Sequence, residues 1–356
     1  MTVNGDLFDL AVRHQVGLQR VSTATVRKLI ALLNRVDADI VAQMQRYDPT
    51  EVSGAWSAKR LEKLLEAVRV VNRDAYNTVG KELTADLKAL AAYEGVFQAS
   101  ALSSALPIAF DIISPSAEQL FAAVNSRPFQ GRILKEWGRD LESGAFAKVR
   151  DAIRQGFVEG QTVDQIVRRL VGTRANQFRD GILEINRRSA EAVVRTAINH
   201  TANAARQSLY EANADLIGSW RFVATLDAKT SVGCASLDGK TFPIGQGPQP
   251  PRHYNCRSSS VPITRSWREL GFDIDELPPG TRASMDGQVP GEMTYNDWLK
   301  GQPAEVQDEV LGKTKAALFR DGDLPLDRFV DDGRAMTLDE LRHKETEAFA
   351  RAGLAA

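Results

Sequence analysis

The chain has 356 residues with 43% hydrophobic and 26% charged side chains, which is ordinary for a folded globular protein and long enough for two or three domains. Its two cysteines exclude a disulfide-dense scaffold, and no apolar run approaches the ~20 residues that cross a bilayer. The opening Met1–Asp6 lacks the basic and apolar regions of a secretory signal, and a net charge of −1 argues against a wholly basic nucleic-acid coat.

That net charge hides a sorting. Residues 1–126 carry net −1, residues 127–265 net +8 and residues 266–356 net −8. The expected organisation is three parts with these bounds: a long-helix region, a small α+β domain with a short antiparallel sheet, and an acidic, partly helical tail. A basic middle beside an acidic end suggests different partners, or an attraction between the two.

In chain order, Val26, Leu29, Ile30, Leu33, Val36, Ile40, Val41 and Met44 fall at steps of three and four, which predicts a helix over Thr23–Tyr47. Asp48-Pro49 breaks it. A second stripe runs from Ser57 through Leu61, Leu64, Val68, Leu83 and Leu87 to Leu90, with Gly80 a weak point costing about 1 kcal/mol relative to Ala. Two such helices would bury each other's stripes as an antiparallel pair. Residues 107–115 interrupt the pattern. Ser114-Pro115 then reads as the cap and first position of a short helix. Further helices are expected from Ile133 to Phe157, from a Thr162 cap with Gln165 completing a capping box to Leu170, and from Leu183 to Asn213.

The character changes at Gly218. Trp220, Phe222 and Ala224 alternate on one face, the period of a strand. A turn-rich stretch, Asp227–Asn255, leads to a second strand over Ser258–Thr264, where Pro262 implies an edge position or the strand's end. Beyond it, helical pieces are expected over Thr294–Leu299, Pro303–Leu311 and Leu338–Ala350.

Cys234 and Cys256 stand at the two ends of this turn-rich loop, and each flanks a predicted strand. Three readings remain open: buried thiols acting as small hydrophobes, a disulfide outside a reducing compartment, or a zinc site of Cys234, His253 and Cys256 with a fourth ligand such as Asp227 or Asp238. A cysteine nucleophile would need a base within hydrogen-bond reach and a third group to aim it, and no orienting partner for His253 is visible. No phosphate-binding glycine motif occurs. His14, His200 and His343 fall on predicted helices, where packing or solvation is the simpler role. Among the basic side chains of the middle region, Arg168, Arg169, Arg174, Arg179, Arg187, Arg188 and Arg195 are candidates for phosphate or partner contact.

The order of these features resembles a known family. Ala152–Leu170, then Arg195-Thr196 and Asn199, then Trp220, then Leu237-Asp238-Gly239, then Pro250-Pro251-Arg252-His253-Tyr254-Asn255-Cys256-Arg257 is similar to the phage Mu F-like minor head proteins of tailed bacteriophages. The resemblance covers about Phe146–Thr264, and Tyr295–Leu299 with Gln302-Pro303 looks like an extension that many members carry. Many members have paired cysteines at both ends of the loop; here Ser231 and Ser258 stand at what look like the two missing positions. The resemblance implies a structural minor head protein, not an enzyme, that associates with portal and major capsid proteins during procapsid assembly and genome packaging or delivery. It implies a place in the virion, at the capsid interior or portal region, with the host cytoplasm as the site of assembly, and no membrane. No cofactor is implied, zinc apart. The alternatives are a nonspecific DNA-binding module acting on the packaged genome and an effector enzyme.

Overall fold

The computed structural model describes residues 3–47, 57–106, 108–266, 268–270 and 280–354. The expected Asp48-Pro49 break lies outside them. Packing divides the chain into two compact units. One comprises Met1–Gln19, Ala92–Leu120 and Ala202–Ala356; the other comprises Arg20–Ala91 and Phe121–Thr201. The charge-based three-part reading concerns composition, and these units concern packing.

Two long helices open the chain, α1 (Val3–Arg46) and α2 (Ala58–Ala105). α1 starts twenty residues before the expected Thr23, because Val3, Leu7, Ala11 and Leu18 extend the same buried stripe upstream. In the second unit the two helices run antiparallel. Lys28 reaches Glu82 at 2.8 Å, while Ile40 and Met44 pack in one cluster with Leu64, Leu65 and Val68. Gly80 does not interrupt α2, and nothing lies within 4 Å of where its Cβ would stand.

α3 (Ala117–Ser126) is capped by Ser116, not by Ser114. The Ser116 hydroxyl accepts from the Gln119 amide, and the Gln119 side chain accepts from the Ser116 amide at 2.8 Å. This reciprocal pair satisfies two end groups, which outweighs the preference of Pro115 for a first helical position. α4 (Leu134–Val158) and α5 (Val163–Val171) follow as expected, the latter with a capping box between Thr162 and Gln165. A Cβ on Gly156 would lie 2.4 Å from Ile166, so only glycine lets α4 approach α5 this closely. α6 (Ile182–Ala212) buries Ala190, Ala197, Ala202, Ala204 and Ala205, the small side chains that permit close packing along it.

Three strands form one antiparallel sheet in the first unit. β1 (Ile217–Val223) is central, and α7 (Val232–Ala235) leads to β2 (Thr241–Pro243) on one side, with β3 (Ser259–Thr264) on the other. Pro262 therefore does lie on an edge strand, the place where a sheet tolerates a residue without an amide hydrogen. Trp220 is fully buried, stacks near Phe242 at 5.1 Å and donates from its indole to the Gln246 carbonyl. Both α7 and β2 fall inside the stretch read from sequence as turns. They are too short to show a period.

The tail builds a β-hairpin, β4 (Thr281–Ser284) with β5 (Gly287–Pro290), then α8 (Tyr295–Lys300), α9 (Ala304–Leu311) and α10 (Lys313–Arg320). A two-residue ladder of β6 (Val330–Asp331) and β7 (Arg334–Ala335) precedes α11 (Leu338–Lys344) and α12 (Thr346–Arg351). The single helix expected over Leu338–Ala350 is thus two. Glu345 leaves helical geometry at φ −124°, ψ 40°, which lets Leu341 and Phe349 both turn inward. The tail's core gathers Tyr295, Trp298, Phe319, Phe329 and Phe349, and it takes in Leu226 and Ala235 from the loop after β1.

Candidate functional site

β1 and β3 are antiparallel neighbours, with Val223 opposite Ser259. The chain leaving β1 at residue 224 and entering β3 after residue 258 therefore starts and ends side by side. That pairing, and not sequence spacing, brings Cys234 to Cys256 across 22 residues.

Charge clamps the two ends of the loop together. The Arg257 guanidinium donates to both carboxylate oxygens of Asp227, one bond at 2.7 Å. Burial pushes the Asp227 carboxyl up, but Arg257 outweighs it and holds the group below its usual range. Asp227 and Asp238, both considered from sequence as zinc ligands, are committed elsewhere. Asp238 is buried, pairs with Arg282 at 2.9 Å, and accepts from the Ala224 and Tyr295 amides at 2.7 Å each.

Short backbone devices aim the sulfur and imidazole groups. Ser231 caps α7 by accepting from the Cys234 amide at 3.3 Å. Asn255 takes φ +59°, a left-handed conformation that asparagine tolerates. The turn lets the Cys256 amide donate to the His253 carbonyl at 3.2 Å, folding both side chains to one side.

The result is a compact cluster. Cys234 Sγ lies 3.7 Å from Cys256 Sγ and 3.4 Å from His253 Nε2, and the three ligand atoms all lie within 4.8 Å of one another. His253 Nδ1 is 2.8 Å from the Tyr254 carbonyl, which supplies the orienting partner not visible in the sequence. Ser231 Oγ lies 2.9 Å from Nε2. Both cysteines are free and 2% exposed. The Cys256 thiol is held well below its usual range by the bond from Cys234 and then by His253. The same contact, with burial, pushes the Cys234 thiol up, and Cys256 draws the His253 imidazole up.

A cavity of about 550 Å³ borders this cluster, lined among others by Ser231, Cys234, Lys240, Arg252 and His253. Cys256 is not in its wall. The thiol held down is thus the enclosed one, and the thiol pushed up is the one that lines the cavity.

The candidate arginines all lie in the helical unit, and most are matched there. Arg169 pairs with Glu159 at 2.8 Å, Arg195 with Glu191 at 2.8 Å, and Arg187 with Asp37 and Glu184. Arg188 lies 3.5 Å from Glu184 and donates to the Arg179 carbonyl. Arg168 is exposed and has no ion pair among the described residues. His14, His200 and His343 do not join the cysteine cluster. His14 meets Glu94 at 2.6 Å, His200 is buried against the Val124 carbonyl, and His343 lies on the surface of α11.

Sequence reasoning missed Arg282, whose buried guanidinium joins Asp238 to the Ala224 and Met293 carbonyls. Its one legible signal is an arginine alternating into the inward face of a short strand. Among the described residues, no helix is long and apolar enough to cross a membrane.

Residues 147–261 match the family model described as phage Mu protein F like protein. The match begins within α4 and ends within β3, so it encloses the whole cysteine and histidine cluster. No curated protein and no solved structure matches the chain. Over residues 147–261, this chain is similar to the phage Mu F-like proteins, a family of phage head morphogenesis.

Proposed function

We propose that the protein is a structural minor head protein of a tailed bacteriophage that associates with the portal and the inner capsid wall during procapsid assembly. The Mu F-like segment at residues 147–261 carries this reading. The partners are the portal protein and the major capsid protein, and the protein stays in the virion at the capsid interior or portal region after assembly in the host cytoplasm. Its part in packaging or delivering the genome is mechanical and not enzymatic.

Binding to DNA is the weaker alternative. Four of the five leading arginines already meet carboxylates of their own unit, which removes much of the charge that would release counterions from DNA. The test is co-purification. Portal complexes isolated from infected cells are expected to retain the protein after nuclease treatment. Loss of the protein on nuclease treatment, together with a gel shift at low salt, would favour the DNA reading.

A further inference from the structure

We propose that Cys234 Sγ, Cys256 Sγ and His253 Nε2 hold one zinc ion, with the fourth coordination position on the Ser231 side open to water or a small anion from the cavity. This inference does not rest on the head-protein reading.

The edge lengths carry the argument. A tetrahedral zinc with Zn–S of ~2.3 Å and Zn–N of ~2.0 Å sets two sulfurs about 3.8 Å apart and a sulfur and a nitrogen about 3.5 Å apart. Cys234 Sγ lies 3.7 Å from Cys256 Sγ and 3.4 Å from His253 Nε2, and the third edge, Cys256 to His253, is within 4.8 Å. A disulfide requires ~2.05 Å between sulfurs. Two thiols packed only as small hydrophobes need no imidazole nitrogen in van der Waals reach of one of them.

The surroundings fit a metal as well. With Nδ1–H donating to the Tyr254 carbonyl, the Nε2 lone pair is the one turned to the sulfurs, and a carbonyl in that place is the usual partner of a zinc-bound histidine. Two thiolates and a neutral imidazole cancel the charge of a divalent ion, so the filled centre is neutral, which suits its burial. Two sulfurs with one imidazole favour zinc over hard cations such as magnesium or calcium. Binding forms two Zn–S bonds and one Zn–N bond and releases two protons from the cluster to solvent.

The fourth position follows from which groups face the cavity. Ser231, Cys234 and His253 line it and Cys256 does not, so the open face of the three-ligand set points there. Ser231 Oγ lies 2.9 Å from Nε2 and lines the same cavity. A hydroxyl is a weak zinc ligand beside a thiolate, and the same wall carries Lys240 and Arg252 beside Asp327 and Asp332, so the exchangeable group is water or a small anion. Three protein ligands with one exchangeable position set this site apart from a closed four-ligand zinc centre.

The test uses the full-length chain, loaded with zinc or with cobalt(II) as a spectroscopic substitute. About one metal ion per chain is expected, with a sulfur-to-cobalt charge-transfer band and the intense visible absorption of a tetrahedral centre. Azide should shift the visible band of the wild type. Ser231→Cys should bind zinc at least tenfold more tightly and lose the azide response. Cys234→Ser and Cys256→Ser should each abolish the charge-transfer stoichiometry. A wild type that binds less than a tenth of an equivalent, or whose cobalt spectrum is octahedral, overturns the site. An azide-insensitive wild type overturns the open position. If the cysteine variants do not fold, the wild-type spectrum and Ser231→Cys still decide.

Discussion

The helical unit keeps its ion pairs at or near the surface, whereas the sheet-bearing unit adds enclosed pairs to surface ones such as Lys344–Asp331. In the former, pairs such as Lys28–Glu82 and Arg169–Glu159 sit at the surface, with side chains a quarter to a half exposed. In the latter, Glu94–Arg206 is fully enclosed and Asp238–Arg282 nearly so. An exposed pair contributes about 0–1 kcal/mol, because water screens it and two long side chains must be ordered. A buried pair adds little net stability, yet removing one partner strands a charge and costs about 3–5 kcal/mol. The two units have similar kinds of side chain, and burial alone separates ornament from constraint.

The same comparison corrects the meaning of the charge sorting. A basic middle and an acidic tail suggest that the tail's acids dock on the middle's bases. The buried contact has the opposite polarity: Arg282 from the tail meets Asp238 from the Mu F-like segment. Around it the junction joins an apolar core, Leu226 and Ala235 with Tyr295 and Trp298, to hydrogen bonds such as that from the Tyr295 hydroxyl to the Asp227 carbonyl. The excess charges remain for solvent or for partners.

The largest expected effect is therefore at Arg282. Arg282→Met leaves Asp238 buried and unpaired and should lower the unfolding free energy by about 3–5 kcal/mol in a denaturant titration. A loss below about 1 kcal/mol would show that water reaches Asp238 and that the contrast between the units is false. Next is an acid limb set by Glu94. Burial alone would push its carboxyl up, but Arg206 and His14 hold it below the usual range. Its folded pKa is depressed, so the stabilisation is present above the unfolded carboxyl pKa of about 4.3 and is lost as pH falls through the folded value. Glu94→Gln should flatten the decline in stability below about pH 4; a decline as steep as the wild type would place it elsewhere.

Smaller effects are expected in the helical unit. Gly80→Ala should stabilise the protein by about 0.5–1 kcal/mol, since the site has room for a methyl group and lies inside a helix. A loss of thermal stability would mean that α2 is strained at Gly80. Lys28→Ala should cost less than about 1 kcal/mol despite two carboxylate partners, and the loss should shrink in high salt. A larger, salt-independent loss would contradict its treatment as a surface pair.

Legibility in the sequence follows the range of the interactions. The stripe through Leu29, Leu33, Ile40 and Met44, the Thr162–Gln165 box and the alternation at Trp220 and Phe222 are local, and the elements they predict are present. The Ser116 cap was equally local, but Ser114-Pro115 offered a competing start two residues earlier. The hairpin of β4 and β5 and the turn of α7 are too short for a period to emerge. At the site, Cys234, His253 and Cys256 were legible as residue types, whereas their meeting depends on the pairing of Val223 with Ser259. The exclusion of Asp227 and Asp238 as ligands depends on Arg257 and Arg282, 30 and 44 residues away.

The central claim, a minor head protein, is tested most directly by quantitative mass spectrometry of purified procapsids and finished heads. The account predicts this chain in the particles at a few copies for many copies of the major capsid protein, retained through a high-salt wash. Its absence from both procapsids and finished heads would contradict the claim.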